Sequence, residues 1–159
     1  MRMTNQSARE RFATGRVARL ATVNRGGAPH VVPVTFVVVS VDPAELDPAE
    51  LDRAADDSSA GRDAIVFAVD HKPKSTSALR RLDNIAAQPR VAFLVDDYDE
   101  LWERLWWVRA DAAARIVSGT RRERVLAELV AKYEQYADRV PAGPVVEALV
   151  TRWSGWQAS

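Results

Sequence analysis

The sequence contains no cysteine, which excludes disulfides, thiolate metal sites and cysteine nucleophiles together. Histidine occurs only as His30 and His71, too few for a histidine-built metal cluster. Neither sign of charge is in excess, because 22 Lys and Arg match 22 Asp and Glu. A neutral chain lacks the broad positive field of a general nucleic-acid binder, so nucleic acid is not expected as a partner, and the scarcity of cysteine and histidine leaves no metal expected. Long apolar runs are missing as well, and the opening "MRMTNQSARERF" has no apolar core of a signal peptide. The chain therefore reads as cytoplasmic and without a membrane span. What is present is 159 residues, 47% hydrophobic and 28% charged, enough for one domain over 1–159 with a real core.

Along the chain, "SARERFATG" (Ser7 to Gly15) predicts a short opening helix with Ser7 as N-cap. "RVARLATVNRGGAPHVVPVTFVVVSV" is β-branched on both sides of Asn24-Arg25-Gly26-Gly27, which signals a hairpin. Pro29 and Pro33 interrupt its second strand and predict an edge or a bulge near Pro33. The stretch from about 42 to 62 carries DPAEL twice and reads as a low-complexity surface insertion with room for one short helix and no assigned chemistry. "AIVFAVD" predicts a strand buried on both faces. "STSALRRLDNIAAQP" predicts a helix capped by Ser75 or Thr76 and ended before Pro89, with Leu79, Leu82 and Ile85 inward. "RVAFLVDDY" and "RLWWVRADAAARIVS" predict two strands, the second bent around Ala112 to Ala114. "TRRERVLAELVAKYEQYADRV" places Val125, Leu126, Leu129, Val130 and Tyr133 on one helical face, and "VVEALVTRW" predicts a final strand. Hairpins dominate this order, so the fold class is mainly β, a six-stranded antiparallel sheet curled into a barrel with flanking helices.

One corner stands out for its chemistry. In "VDHKPKSTSALRRL" (Val69 to Leu82), Lys72 and Lys74 share a side if the segment is extended, and His71 opposes them. Pro73 holds Lys72 extended. The helix that follows starts with unpaired N–H groups and a partial positive charge. Lysines, amides and the hydroxyls of Ser75, Thr76 and Ser77 would suit a phosphate or a carboxylate. The same residues also suit a solvated corner whose hydroxyls only cap a helix.

Taken together, "RVARLATVNRGGAPHVVPVTFVV", "VDHKPKS", "LRRLDNI", "QPRVAFLVDDYDE", "RLWWVRADAAARI" and "TRWSGW" resemble the deazaflavin-dependent branch of the pyridoxamine 5'-phosphate oxidase-like proteins. These are the F420-dependent oxidoreductases of the PPOX class. The resemblance implies an FMN-binding split β-barrel and a homodimer with a flavin or deazaflavin in each of two clefts between subunits. It implies that Lys72, Lys74 and Ser75 hold the cofactor phosphate and that the backbone of Val32, Pro33, Val34 and Thr35 lies against the tricyclic ring. Trp107 would border the cofactor from the partner chain, and Arg109, of the same strand parity, would reach an anionic tail. The implied activity is hydride transfer between coenzyme F420 and a small organic substrate. FMN is the alternative cofactor, and a non-catalytic carrier or sensor the alternative role. Arg16, Arg19, Arg80 and Arg81 tilt the balance towards F420, whose phosphodiester and oligoglutamate tail need more cations.

Other residues have simpler readings. Trp106 and Trp107 must face opposite sides of a strand, one towards core and one towards a cleft. Trp153 and Trp156 either cap the barrel or fold over a cleft. His71 beside Asp70, and His30, read as structural, and Asp96-Asp97 and Asp99-Glu100 as solvated turn charges. No side chain is singled out as catalytic.

Overall fold

The computed structural model describes residues 1–54, 63–69 and 76–159. Its elements are α1 (Asn5–Ala13), β1 (Ala18–Val23), β2 (Pro29–Val34), β3 (Val37–Ser40), α2 (Pro48–Ala54), β4 (Asp63–Ala68), α3 (Thr76–Ala87), β5 (Arg90–Asp97), β6 (Trp106–Val117), α4 (Gly119–Lys132), α5 (Glu134–Asp138) and β7 (Val145–Gln157). Every strand pairing is antiparallel, in the order β2-β1-β5-β6-β7-β4-β3.

That order fixes the shape. β2 and β3 are the two outer strands, yet only Thr35 and Phe36 separate them in the chain. Three residue steps from Val34 to Val37 span about 11 Å at most. In a flat sheet of seven strands the two edges would stand about 29 Å apart. The sheet therefore curls until its edges almost meet, and the result is a barrel split between β2 and β3. The six strands expected from the sequence become seven here. The "HVVPVTFVVVSV" run looks continuous, but it crosses the split and must break at Thr35–Phe36.

The core follows from strand parity. Leu20, Phe67, Phe93, Val108, Val146 and Val150 point inward and are fully buried. α1 plugs the barrel with Phe12, whose ring lies 4.9 Å from Phe36 and 5.2 Å from Trp153. Trp153 thus belongs to the core. The helix begins two residues before Ser7, because Thr4 is the cap and its side chain accepts from the Ser7 N–H at 3.1 Å. β4 is buried on both faces, as its sequence requires. Ile65 and Phe67 face the barrel, while Val66 and Ala68 pack under Val125, Leu126 and Leu129 of α4. The β1–β2 turn forms where expected, with Asn24 Oδ1 accepting from Gly26 and Ala28 N–H (both 2.9 Å) and Gly27 at φ 85°. The bend expected near Ala112 is a bulge between Asp111 and Ala112, where Thr151 of β7 is left over and donates to the Asp111 carbonyl at 3.1 Å.

The described part of the insertion is not a bare surface loop. Each DPAEL copy starts a turn with its aspartate and sends its glutamate to an arginine. Asp42 caps a 3-10 turn, and Glu45 takes both terminal nitrogens of Arg124 at 2.6 Å. Asp47 and Glu50 form a reciprocal capping box at the start of α2 (2.8 and 2.9 Å), and Glu50 pairs with Arg115. Arg115 also reaches Glu147, which is 2% exposed and bound by Arg121 at 2.5 Å. A buried carboxylate needs such partners to stay charged. Residues 55–62, the rest of the insertion, lie outside the described residues. Among the described residues no helix is long and apolar enough to cross a membrane.

The split is stapled from outside the sheet. Neither edge strand continues to Phe36, so its backbone is satisfied by the Tyr133 hydroxyl, which accepts from Phe36 N–H at 3.0 Å. The same hydroxyl lies 2.9 Å from the Phe36 carbonyl and 2.8 Å from the Arg16 carbonyl. Removing it leaves buried polar groups without a partner, so Tyr133→Phe is expected to lower stability by about 1–3 kcal/mol. Urea denaturation checks this; an unchanged midpoint and slope would mean the staple is not needed.

Candidate functional site

The residues implied by the resemblance fall into three groups. The first lies on β2 and the crossing. Val32 and Val34 point inward, Val34 being buried, while Pro33 is exposed on the outer face beside Val31. Among the described residues β2 pairs only with β1, so its other edge has no strand partner there. Pro29 and Pro33 sit on this edge strand, where a missing N–H costs least. Thr35 is half-buried in the crossing, with its hydroxyl 2.7 Å from Tyr136 Oη.

The second group is Trp107 and Arg109 on β6, both on the outer face. Trp106 faces the other way, packed on the core with Arg11 lying 5.1 Å from its ring centroid. The two tryptophans divide between core and surface as parity demands. Trp107 lies opposite Trp156, so the second C-terminal tryptophan joins the outer face and is 37% exposed. The ladder register joins Pro33 to Arg19, Arg19 to Leu94, Leu94 to Arg109 and Arg109 to Ser154 in one transverse row. Pro33 and Arg109 thus share a face but stand three strands apart, about 14 Å. One chain places them around a common surface without bringing them into contact.

The third group, Lys72, Lys74 and Ser75, lies outside the described residues, as do Asp70, His71 and Pro73. The structure does show that β4 ends at Ala68 and that α3 runs from Thr76 to Ala87. Ile85 and Leu82 of α3 pack on the barrel.

Arg109 and Arg19 on the outer face are both paired. Arg109 grips Asp111 with two nitrogens (3.1 and 3.2 Å), and Arg19 binds Asp96 at 2.6 Å. Asp96 is therefore an ion-pair partner rather than a solvated turn charge. Arg16 lies 4.5 Å above the Tyr133 ring and donates to the Lys132 carbonyl. The surplus of sheet cations that favoured an anionic tail is largely spent inside the molecule. Among the described residues, Ser154 Oγ, directly opposite Arg109, and His30 Nδ1 on β2 are shielded and have no hydrogen-bond partner. A buried polar atom left unpaired calls for a partner, which an ordered water or a ligand can supply. Exposed Val31 and Pro33 lie at the β2 side of this face, while Trp107 and Ser154 stand three and four strands away on it.

Sequence reasoning missed the cluster behind the crossing. Tyr133 was recognised only as a core-facing helix residue, and Lys132 and Tyr136 not at all. Tyr133 and Tyr136 are three residues apart at the α4–α5 junction, a spacing that sends both hydroxyls one way. Lys132 Nζ donates to Gly15 O at 2.7 Å and Ala13 O at 3.3 Å, and lies 3.9 Å from the Phe36 ring centroid. The α1 end, the α4 end and the crossing are thereby tied together beside β2.

An antiparallel barrel split at one crossing, with an aromatic outer face, defines a split β-barrel protein. The chain belongs to the pyridoxamine 5'-phosphate oxidase family, whose profile matches residues 4–157. Its fold is similar to that of an FAD-binding protein from Mesorhizobium loti (16% identity, TM-score 0.64, 98% of this chain and 93% of that one). It is also similar to the FAD-binding protein from Mycobacterium smegmatis (20%, 0.57, 99% and 98%). A third likeness is to HutZ, the heme storage protein from Vibrio cholerae (14%, 0.60, 98% and 95%). At these identities the likeness is one of fold. No curated protein matches the sequence.

Burial, with the Arg16 guanidinium nearby, pushes the Lys132 ammonium down to about 8. The unfolded chain keeps that proton to about pH 10.4. Between those values the unfolded state binds more protons than the folded one, so stability rises with pH. Urea titrations from pH 8 to about 9.5 are expected to show this rise in the wild type and not in Lys132→Met. Parallel profiles would mean that Lys132 titrates normally.

Proposed function

We propose that the protein is an oxidoreductase that holds a flavin-type tricyclic cofactor against the free edge of β2, in clefts between two copies of the chain. The observation that carries this is the unpaired β2 edge beside the split, in a chain of the pyridoxamine 5'-phosphate oxidase family. The backbone of Val32 to Thr35 would lie along the ring. Trp107 of the partner subunit would shield the cofactor from water, because 14 Å or so within one chain is too far for the ring to touch both. Lys72, Lys74 and Ser75, before the start of α3, supply charge and donors for a phosphate. Bound there, the cofactor supplies hydride transfer, and the protein binds, orients and shields it. This agrees with a chain without cysteine.

The cofactor we propose is coenzyme F420, on the resemblance of the lysine corner and the "LWWVR" strand to deazaflavin-dependent proteins. Because Arg16 and Arg19 are engaged internally, its anionic parts would rely on Lys72, Lys74 and the exposed Arg80. FMN is the competing cofactor, since the family likeness and two FAD-binding structural neighbours support a flavin equally. A storage or carrier role is the second reading, and the likeness to a heme storage protein favours it.

Fluorescence titration with F420 and FMN side by side is expected to give tighter F420 binding. Tighter FMN binding would reverse the cofactor assignment, and binding of neither would sink the reading. Lys72→Ala and Lys74→Ala are each expected to weaken the bound cofactor by about 1–3 kcal/mol, the range for a charge-assisted contact. Unchanged affinity in both variants would remove the lysine corner from the site. Binding without turnover of enones, quinones or imines would favour storage.

A further inference from the structure

Two features at opposite ends of the outer sheet face lack a partner. At one end the β5–β6 hairpin projects Tyr98, Leu101 and Trp102, which are 69%, 52% and 77% exposed. Three large apolar side chains on one projecting loop exceed the scattered exposure normal for a surface. The loop is firmly built, since Leu101 N–H donates to Asp99 Oδ1 at 3.0 Å and a 3-10 turn at Trp102–Arg104 follows. At the other end lies a groove of about 640 Å³. Its floor is made by Ala21, Val23, Ala92 and Ala113, small side chains on three adjoining strands, and Arg90 and Asp52 stand at its rim.

The two features complement each other in shape and charge. The hairpin carries Asp97, Asp99, Glu100 and Glu103 against Arg104 alone, and Arg104 is 4.0 Å from Asp99. The groove end carries Arg90 and, in the turn after Val23, the exposed Arg25, and neither makes an ion pair among the described residues. A hairpin cannot reach the groove of its own chain. β5 runs from Arg90 at the groove to Asp97 at the hairpin, about 24 Å along the strand.

We infer that the occupant of the groove is the Trp102 hairpin of a second copy. A two-fold axis that reverses the strand direction brings each hairpin over the other copy's groove. The two contacts are then identical and the assembly closes as a dimer. Trp102 fills the alanine floor, Glu100 and Glu103 meet Arg25 and Arg90, and Asp52 faces Arg104. This rests on the two-copy arrangement under Proposed function and names the surfaces that make it.

Sedimentation velocity over a concentration series of the full chain tests the seating. The wild type is expected to dimerise, and Trp102→Ala to raise the dimer Kd about 30-fold, the loss typical of a tryptophan hot spot. Trp102 is exposed in a loop, so folding of that variant is not at risk. A groove-reversed variant (Arg25→Glu, Arg90→Glu) and a hairpin-reversed variant (Glu100→Arg, Glu103→Arg) are each expected to dimerise poorly alone. Mixed together they are expected to regain dimer, because both contacts of the mixed pair are then oppositely charged. A misfolded variant would not be rescued in this way. A wild-type dimer that every variant leaves unchanged would overturn the seating alone. A wild-type monomer at micromolar concentration would overturn both the seating and the two-copy clefts. Cofactor titration of the same samples reads the cofactor assignment separately.

Discussion

The two-residue crossing at Thr35–Phe36 is the constraint on which the rest of the structure depends. It joins opposite edges of one seven-stranded sheet, and a chain that short leaves the sheet no choice but to close. Closure by covalent linkage differs from closure by hydrogen bonds. The ladder is not completed, so β2 and β3 each keep an unpaired edge. The interior is sealed by packing instead, with the Phe12 ring set at a steep angle against both Phe36 and Trp153. Tyr133 and Tyr136 then hold the crossing from behind through short polar contacts, and Lys132 lies over the Phe36 ring while it donates to the Gly15 carbonyl. In the proposed function the β2 edge beside this seam is the seat of the cofactor, a reading that membership of the family supports.

The same logic of long-range pairing governs the opposite flank. The DPAEL repeat would be an unsupported loop by composition, yet its glutamates find arginines on β6 and α4. Glu147, buried on β7, is the hub of that network, held by Arg115 and Arg121. Such pairs stabilise little when exposed, but around a buried carboxylate they are required, because an uncompensated charge there is costly. The described part of the insertion is consequently fixed to the barrel, and Asp52 of α2 is carried to the outer-face groove.

Much of the fold was legible in the sequence because its signals are local. "AIVFAVD" announced a buried strand, and the period of Val125, Leu126 and Leu129 announced α4. The single helix expected through Tyr133 breaks at that residue, which is extended between α4 and α5. Pro33 announced an edge. What the sequence concealed are consequences of closure. Nothing in "VPVTFVVV" marks Thr35–Phe36 as the place where one strand becomes two, since both halves are equally β-branched. Glu45 and Arg124 are 79 positions apart, and no spacing rule joins them. For the candidate site, parity placed Trp107 and Arg109 on one face correctly, but parity says nothing of Asp111, which occupies Arg109. The lysine corner, the most distinctive motif in the chain, falls outside the described residues and keeps its standing from sequence alone.

The central claim is that the free β2 edge beside the Thr35–Phe36 crossing is the cofactor seat. Amide hydrogen exchange, measured with and without saturating F420 or FMN, addresses it at the residues concerned. The account predicts that amides from Val31 to Val38 slow on binding more than those of α4 or β7. Tight binding that leaves the exchange of Val31 to Val38 unchanged would contradict it.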